Sequence, residues 1–158
     1  MKMYFAGADG DLEILSKYKA KILISYAVKN IIVRKKVQNK FDDIFLDSGA
    51  FTSYNTGKII DINEYIDFIK KYKFKTYAGL DVIGKDKESF DNYQHMYSNN
   101  LKDTIPTFHF GGNFEYLHLY LKQSNYVALG GVAQLKQSKK LIYFLDKCFE
   151  IIKEIQLY

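Results

Sequence analysis

Alternation of short β-branched and aromatic runs with longer stretches of helical period predicts an α/β protein made of successive βα units on a parallel sheet. Three observations carry that prediction. Six apolar runs recur along the 158 residues, and each is followed by a stretch with helical spacing. Several of these runs end in polar or glycine residues, as parallel sheets do where the loops at their carboxyl ends build a pocket. No Pro-rich, Gly/Ser-rich or charge-block linker interrupts the series, so residues 1–158 read as one domain.

The strands are expected at Met3–Ala6, Lys21–Tyr26, Asp43–Leu46, Thr76–Leu80, Thr104–Phe108 and Tyr126–Leu129. Helices are expected over Asp11–Tyr18, Ile31–Lys40, Ile62–Tyr72, Lys87–Asn99, Phe114–Gln123 and Ser138–Ile155. Each strand is short and rich in Ile, Val, Leu, Phe or Tyr, the residues that fit a pleated, packed surface. The helix over Ile62–Tyr72 is the clearest, because Ile62, Tyr65, Ile66, Ile69 and Tyr72 share one face and Asp61 stands where a side chain caps the first turn.

A closed (β/α)8 barrel needs eight strands and typically about 250 residues. The chain therefore reads either as six of the eight units of a TIM barrel, an incomplete barrel, or as a six-strand open sheet complete in itself. An unclosed barrel exposes two sheet edges and apolar surface, which favours a homo-oligomer or a second chain that completes it.

With 47% hydrophobic residues the chain has material for a core, and its 26% charged content is ordinary. The net charge of +5 comes mainly from dispersed lysines and permits a polyanionic partner without demanding one. Arg34-Lys35-Lys36 with Lys40 reads as a solvated helix face. Cys148, the single cysteine, lies in an amphipathic pattern beside Phe144, Leu145 and Ile151 and reads as a packed thiol. Neither a secretory leader nor a membrane span is apparent, so no membrane partner is expected and the cytoplasm is the expected compartment.

Asp47-Ser48-Gly49-Ala50-Phe51 leaves the apolar run Ile44-Phe45-Leu46, Asp81 leaves Tyr77-Ala78-Gly79-Leu80, His109 leaves Thr107-Phe108 ahead of Gly111-Gly112, and Gly130-Gly131 leaves Tyr126-Val127-Ala128-Leu129. Asp47 reads either as an Asx turn satisfying its own loop or as a proton-transfer group, and the second carboxylate, Asp81, strengthens the functional reading. Splitting roles, one carboxylate takes a proton while the other accepts hydrogen bonds from a polar substrate. His109 reads as a satisfied structural imidazole or as a base, and His95 and His118 fall inside helical patterns. Asp47, Asp81 and His109 together also admit a metal-dependent hydrolase, although His-x-His, His-Glu-x-x-His and cysteine clusters are all missing from the sequence. Gly130 and Gly131 leave backbone amides open to a base or phosphate, and Phe51 offers a flat ring for a purine-like heterocycle.

Leu46-Asp47-Ser48-Gly49-Ala50-Phe51, Leu80-Asp81-Val82-Ile83-Gly84, Phe108-His109-Phe110-Gly111 and Leu129-Gly130-Gly131-Val132-Ala133, in that order, resemble the tRNA-guanine transglycosylase (queuine tRNA-ribosyltransferase) superfamily. The likeness is greatest to its short, mostly viral members linked to 7-deazaguanine modification of nucleic acid, and it spans Ile44–Ala133. It implies a (β/α)8 barrel and a pentosyltransferase reaction, the exchange of guanine for a 7-deazaguanine in tRNA or DNA through a covalent sugar intermediate on an aspartate. It implies no cofactor, and for a viral protein the compartment is the host cytoplasm.

By that resemblance Asp47 is the catalytic aspartate of the Asp-Ser-Gly-Gly element, with Ser48 beside it. Phe51 stacks on the base, Asp81 reads its hydrogen-bonding edge, the Leu129-Gly130-Gly131 backbone meets its carbonyl, and His109 falls near a base-contacting glutamine. The chain departs from the family at Ala50, at Thr52 and after Gly131, and the zinc-binding cysteines are missing. The family's nucleophilic aspartate lies on a strand later than the Gly-Gly element, where this sequence has only one more helical pattern, with Asp146, Glu150 and Glu154 on it. The leading expectation is a guanine/7-deazaguanine base-exchange transglycosylase acting on tRNA or DNA, or the base-binding portion of one, which lacks the late-strand nucleophile in this chain and so is expected to bind without turnover. The alternatives are a catalytically incomplete nucleobase-binding module and, behind it, the metal-dependent hydrolase.

Overall fold

The computed structural model of the chain describes residues 2–7, 10–41, 43–135 and 138–156. Six strands alternate with helices: β1 (Phe5–Ala6), α1 (Leu12–Lys17), β2 (Ile22–Ser25), α2 (Lys29–Arg34), β3 (Ile44–Asp47), α3 (Ala50–Thr56), α4 (Ile62–Tyr72), β4 (Thr76–Tyr77), α5 (Asp86–Ser98), β5 (Thr107–His109), α6 (Phe114–Leu121), β6 (Ala128–Gly130) and α7 (Lys139–Gln156). Three short 3-10 turns, Tyr26–Val28, Val37–Asn39 and Ala133–Leu135, fill connections.

All the pairings are parallel. β1 to β4 form one sheet in sequence order, and β5 pairs β6 in a second. The two sheets meet at a single bridge between Ala78 and Ile105, where the Gly79 amide donates to the Ile105 carbonyl at 2.7 Å and the Ile105 amide to the Tyr77 carbonyl at 3.2 Å. Parallel neighbours in chain order are what successive right-handed βα crossovers produce.

Strand alternation divides the residues between two faces. Ile22, Ile24, Leu46 and Tyr77 turn into a core with Leu12 and Ile32 and, from α4, Tyr65, Ile66 and Ile69. Their register neighbours Leu23, Phe45 and Thr76 line the other face and stay half-buried. A second core gathers Phe108, Leu117, Tyr120, Phe144, Cys148 and Ile151 around β5, α6 and α7. Between the two lies α5, which gives Met96 to the first core and Tyr93 to the second.

The expected elements are present, with local differences that have physical causes. α4 has the expected bounds, and the Asp61 carboxylate accepts from the Asn63 and Glu64 amides at 2.8 and 2.9 Å, as its capping position requires. The helix expected over Ile31–Lys40 instead occupies Lys29–Arg34 and breaks where Lys36 adopts a positive φ of 50°. β5 begins three residues later than expected, because Thr104 folds its hydroxyl back onto the Leu101 carbonyl and Pro106 has no N–H to give the ladder. Sequence reading missed α3, since Ala50 is its only buried residue and its two aromatics, Phe51 and Tyr54, stand exposed rather than on a core-facing stripe. Cys148 is fully buried and desolvation pushes its thiol up to about 11, in keeping with a packing role.

Leu46 is 0% exposed at the centre of the first core, so Leu46→Ala should cost about 2–5 kcal/mol in urea unfolding. Ile142→Ala, at a position 59% exposed on α7, should change stability by no more than about 0.5 kcal/mol in the same assay.

Candidate functional site

The carboxyl ends of β3 to β6 open on one side of the sheet, and the chemistry-bearing side chains converge there. Asp47 is the last residue of β3, Asp81 follows β4 by a short extension, His109 ends β5 and Gly130 ends β6. They border a cavity of about 680 Å³ together with Phe51 and Gly131. A cavity of similar size, about 670 Å³, lies at the amino ends of the strands beside Lys2, Asp43, Lys73 and Lys75. There the single carboxylate is already paired with Lys2 and Lys21, so the carboxyl-end cavity is the one with groups arranged for chemistry.

Asp81 holds the site together. Its Oδ1 accepts from the Ser48 hydroxyl at 2.8 Å and its Oδ2 lies 2.6 Å from His109 Nε2. The His109 and Asp81 side chains are only 18% and 10% exposed. Facing a carboxylate oxygen, Nε2 is placed to donate; in the neutral imidazole that tautomer leaves Nδ1 as an acceptor. Ser48 is buried, and its oxygen also accepts from the Ala50 amide at 3.2 Å, the first residue of α3. One carboxylate thus orients β5's imidazole and the start of α3 together.

Asp47 forms the expected Asx turn, with Oδ2 accepting from the Gly49 amide at 3.0 Å, and the turn leaves the side chain on the cavity wall. The structural and functional readings of this residue are therefore compatible. Burial pushes its carboxyl above the usual carboxylate range, the Gly49 amide and Ser25 hydroxyl oppose the rise, and the charge of Asp81 adds to it. Gly49 turns the chain at a positive φ of 83°, where an L side chain is strained and a Cβ would crowd the Ala27 amide nitrogen at 3.0 Å, so the position favours glycine.

Gly130 is needed for a different reason. A Cβ there would sit 2.7 Å from Thr107 Cγ2 and 3.0 Å from both Cε1 and Nδ1 of His109, so the imidazole occupies the space that glycine vacates. Phe51 stands on the first turn of α3, 60% exposed over the cavity, rather than in a loop. Ser48 and Leu129 do not line the cavity: Ser48 acts beneath it through Asp81, and Leu129 packs against the second core.

Comparison with known protein families, curated proteins and solved structures finds no match for this chain.

Three lining residues escaped the sequence reading: Tyr54, Asp86 and Thr107. Recognising α3 as a helix would have revealed Tyr54, one turn beyond Phe51 on the same face and 66% exposed. Asp86 opens α5, and its Oδ2 accepts from the Asn113 amide at 2.7 Å, a pairing across distant segments that local spacing does not disclose. Thr107 is one strand residue pair from His109 and points the same way by alternation. Among the described residues no group of three or more His, Cys, Asp and Glu side chains is placed to hold a metal ion. Nor is any described helix long and apolar enough to cross a membrane.

A carboxyl whose folded pKa is raised binds its proton more tightly in the native state than in the unfolded chain. Its contribution to stability is whole below the unfolded value and is lost as pH rises from the ordinary carboxylate range through the raised folded value. Asp47→Asn removes that titration while keeping an oxygen for the Gly49 amide. The variant should melt higher than the parent at pH 7 and the gap should close as the pH is lowered toward 3, as followed by circular dichroism.

Proposed function

We propose that the carboxyl-end cavity binds a guanine-type nucleobase, guanine or a 7-deazaguanine, in the manner of the tRNA-guanine transglycosylases that the sequence resembles. The observation that carries this reading is the joint placement, around one cavity, of an exposed aromatic ring, two carboxylates, an oriented imidazole and a side-chain-free backbone at Gly130-Gly131. An apolar platform with a few fixed polar groups is what a heterocycle pocket requires. The parallel, sequential strand order further supports reading the chain as six of the eight units of a (β/α)8 barrel. On this reading the unpaired edges of β1 and β6 are where strands from a second copy or another chain would add.

The base lies against Phe51, with its carbonyl over the Gly130-Gly131 backbone. Each oxygen of Asp81 already accepts one hydrogen bond, so its remaining lone pairs, with Nδ1 of His109, meet the ring N–H and the exocyclic amine. Asp47, its carboxyl inclined to keep a proton, protonates or deprotonates the base as the N-glycosidic bond breaks or forms. Asp146, Glu150 and Glu154 all lie on α7, so no carboxylate after Gly131 stands at a strand end among the described residues. That observation favours the second reading, a nucleobase-binding module without turnover, for the 158-residue chain acting alone.

Calorimetric titration with guanine and 7-deazaguanine tests the pocket. Phe51→Ala should weaken binding by about 1–3 kcal/mol, the worth of stacking a base on an aromatic ring. Asp81→Ala should weaken it by about 2–4 kcal/mol, because the loss of charge-assisted bonds is compounded by release of Ser48 and His109. Equal affinity in the parent and both variants would remove the pocket from consideration. Incubation of the purified chain with labelled guanine and either tRNA or DNA should show no sustained incorporation. Incorporation that vanishes in Asp47→Ala would instead make this chain a complete transferase.

A further inference from the structure

The amino-end cavity of about 670 Å³ shares no lining residue with the carboxyl-end site. Two turns build its walls. After Lys36 the 3-10 turn Val37–Asn39 buries Val37 in the first core and leaves Gln38 at the cavity. After α4 the chain reverses at Lys73, where the Lys73 amide donates to the Lys70 carbonyl at 3.2 Å and the Phe74 amide to the Ile69 carbonyl at 3.1 Å. Phe74 is thereby buried, and Lys73 and Lys75 stand exposed on either side of it, both bordering the cavity. Asp43 is the one acid at the border among the described residues, with Oδ1 taken by the Tyr4 hydroxyl at 3.0 Å and Oδ2 facing Lys2 and Lys21 at 3.3 and 3.6 Å. Lys73 and Lys75 have no acidic partner among the described residues. The carbonyl end of α4 does not require them, because Lys70 and Lys71 already stand in its last turn. Hydrogen bonding is unbalanced at the same place: Gln38 Nε2 is shielded from water and has no partner. A buried N–H left unmet is costly and uncommon in native proteins.

We propose that the amino-end cavity binds a small organic anion, a phosphate or carboxylate group carried on a compact apolar body. The anionic group lies between Lys73 and Lys75, with the Gln38 amide turned to donate to it. The apolar body rests on the wall that Phe41, Ile44 and Phe74 form beside these donors. Lysine acts as a point charge and so suits either oxyanion, and the cavity has the volume of a small-molecule site, ~300–1,000 Å³. A bare inorganic ion would leave the apolar wall uncovered. The carboxylate at the border is already paired, so the ligand is held there without being acted upon. The inference does not rest on the base-pocket reading, since the two cavities lie at opposite ends of the strands.

The experiment is calorimetric titration with phenyl phosphate and with benzoate at fixed ionic strength, beside inorganic phosphate and phenol as the separate halves of the probe. Phenyl phosphate, benzoate or both should bind at least about tenfold more tightly than either half, since each half forgoes the apolar burial or the charged hydrogen bonds. Lys73→Gln with Lys75→Gln should weaken the probe by about tenfold or more. Lys87→Gln with Lys147→Gln removes the same charge from lysines paired with Asp91 and Glu150 and should leave the probe's affinity unchanged. Gln38→Met removes the unmet N–H and should raise the melting temperature of the unliganded protein while weakening the probe by about threefold or more, opposite movements that a purely structural glutamine would not give. Affinity in Phe51→Ala should equal that of the parent, which separates this test from that of the carboxyl-end cavity. Failure of both probes to bind, affinity no better than that of inorganic phosphate or phenol, equal losses in the two lysine pairs, or dependence on Phe51 would each overturn the proposal.

Discussion

The Asp81 carboxylate is the interaction on which the rest of the site depends. The ladder between the first four strands and the last two consists of one bridge at Ala78 and Ile105, and the halves on either side have separate cores. Across that seam Asp81 reaches back to Ser48 of the first half and forward to His109 of the second. Charge-assisted hydrogen bonds in a partly dehydrated setting are among the stronger polar contacts available to a protein. Here they join the loop after β3 to the end of β5, where the backbone ladder is thinnest. The same atoms fix the imidazole's tautomer and the entry of α3, so positioning of Phe51 and of His109 is one problem with one solution.

The remaining small residues follow from that arrangement. An imidazole turned toward Asp81 lies over β6, and only glycine at 130 leaves room for it. The entry to α3 beside Ser25 and Ala27 is crowded and left-handed, which favours glycine at 49. Asp47 is consequently drawn inward, held by a backbone amide and kept from full hydration, which is the environment that favours its protonated form.

The alternation of strands and helices was legible in the sequence because burial on one face of each strand and one stripe of each helix imposes separate periods, as along Ile62–Tyr72. Convergence of Asp47, Asp81, His109 and Gly130-Gly131 was legible too, since parallel strands in order put their carboxyl ends on one side. Illegible were features made by contacts remote in sequence. The pairing of Ser48 and His109 through Asp81 joins residues 33 and 28 positions apart. α3 is a surface helix with one buried residue and hence no core-facing stripe, and its omission concealed Tyr54. The late start of β5 came from Thr104 and Pro106, whose effect is on hydrogen-bond supply rather than on apolar pattern.

The two cores and their narrow junction also bear on how occupancy of the cavity acts on the molecule as a whole. Phe51 belongs to an element packed on the first core and Gly130 to one packed on the second, so a ligand touching both would add a noncovalent link across the seam that α5 and Asp81 already span. Anything that binds the joined state alone shifts the equilibrium toward it in proportion to its concentration over its dissociation constant. Under that linkage a guest held across the seam would contribute to the cohesion of the fold as well as to its own recognition.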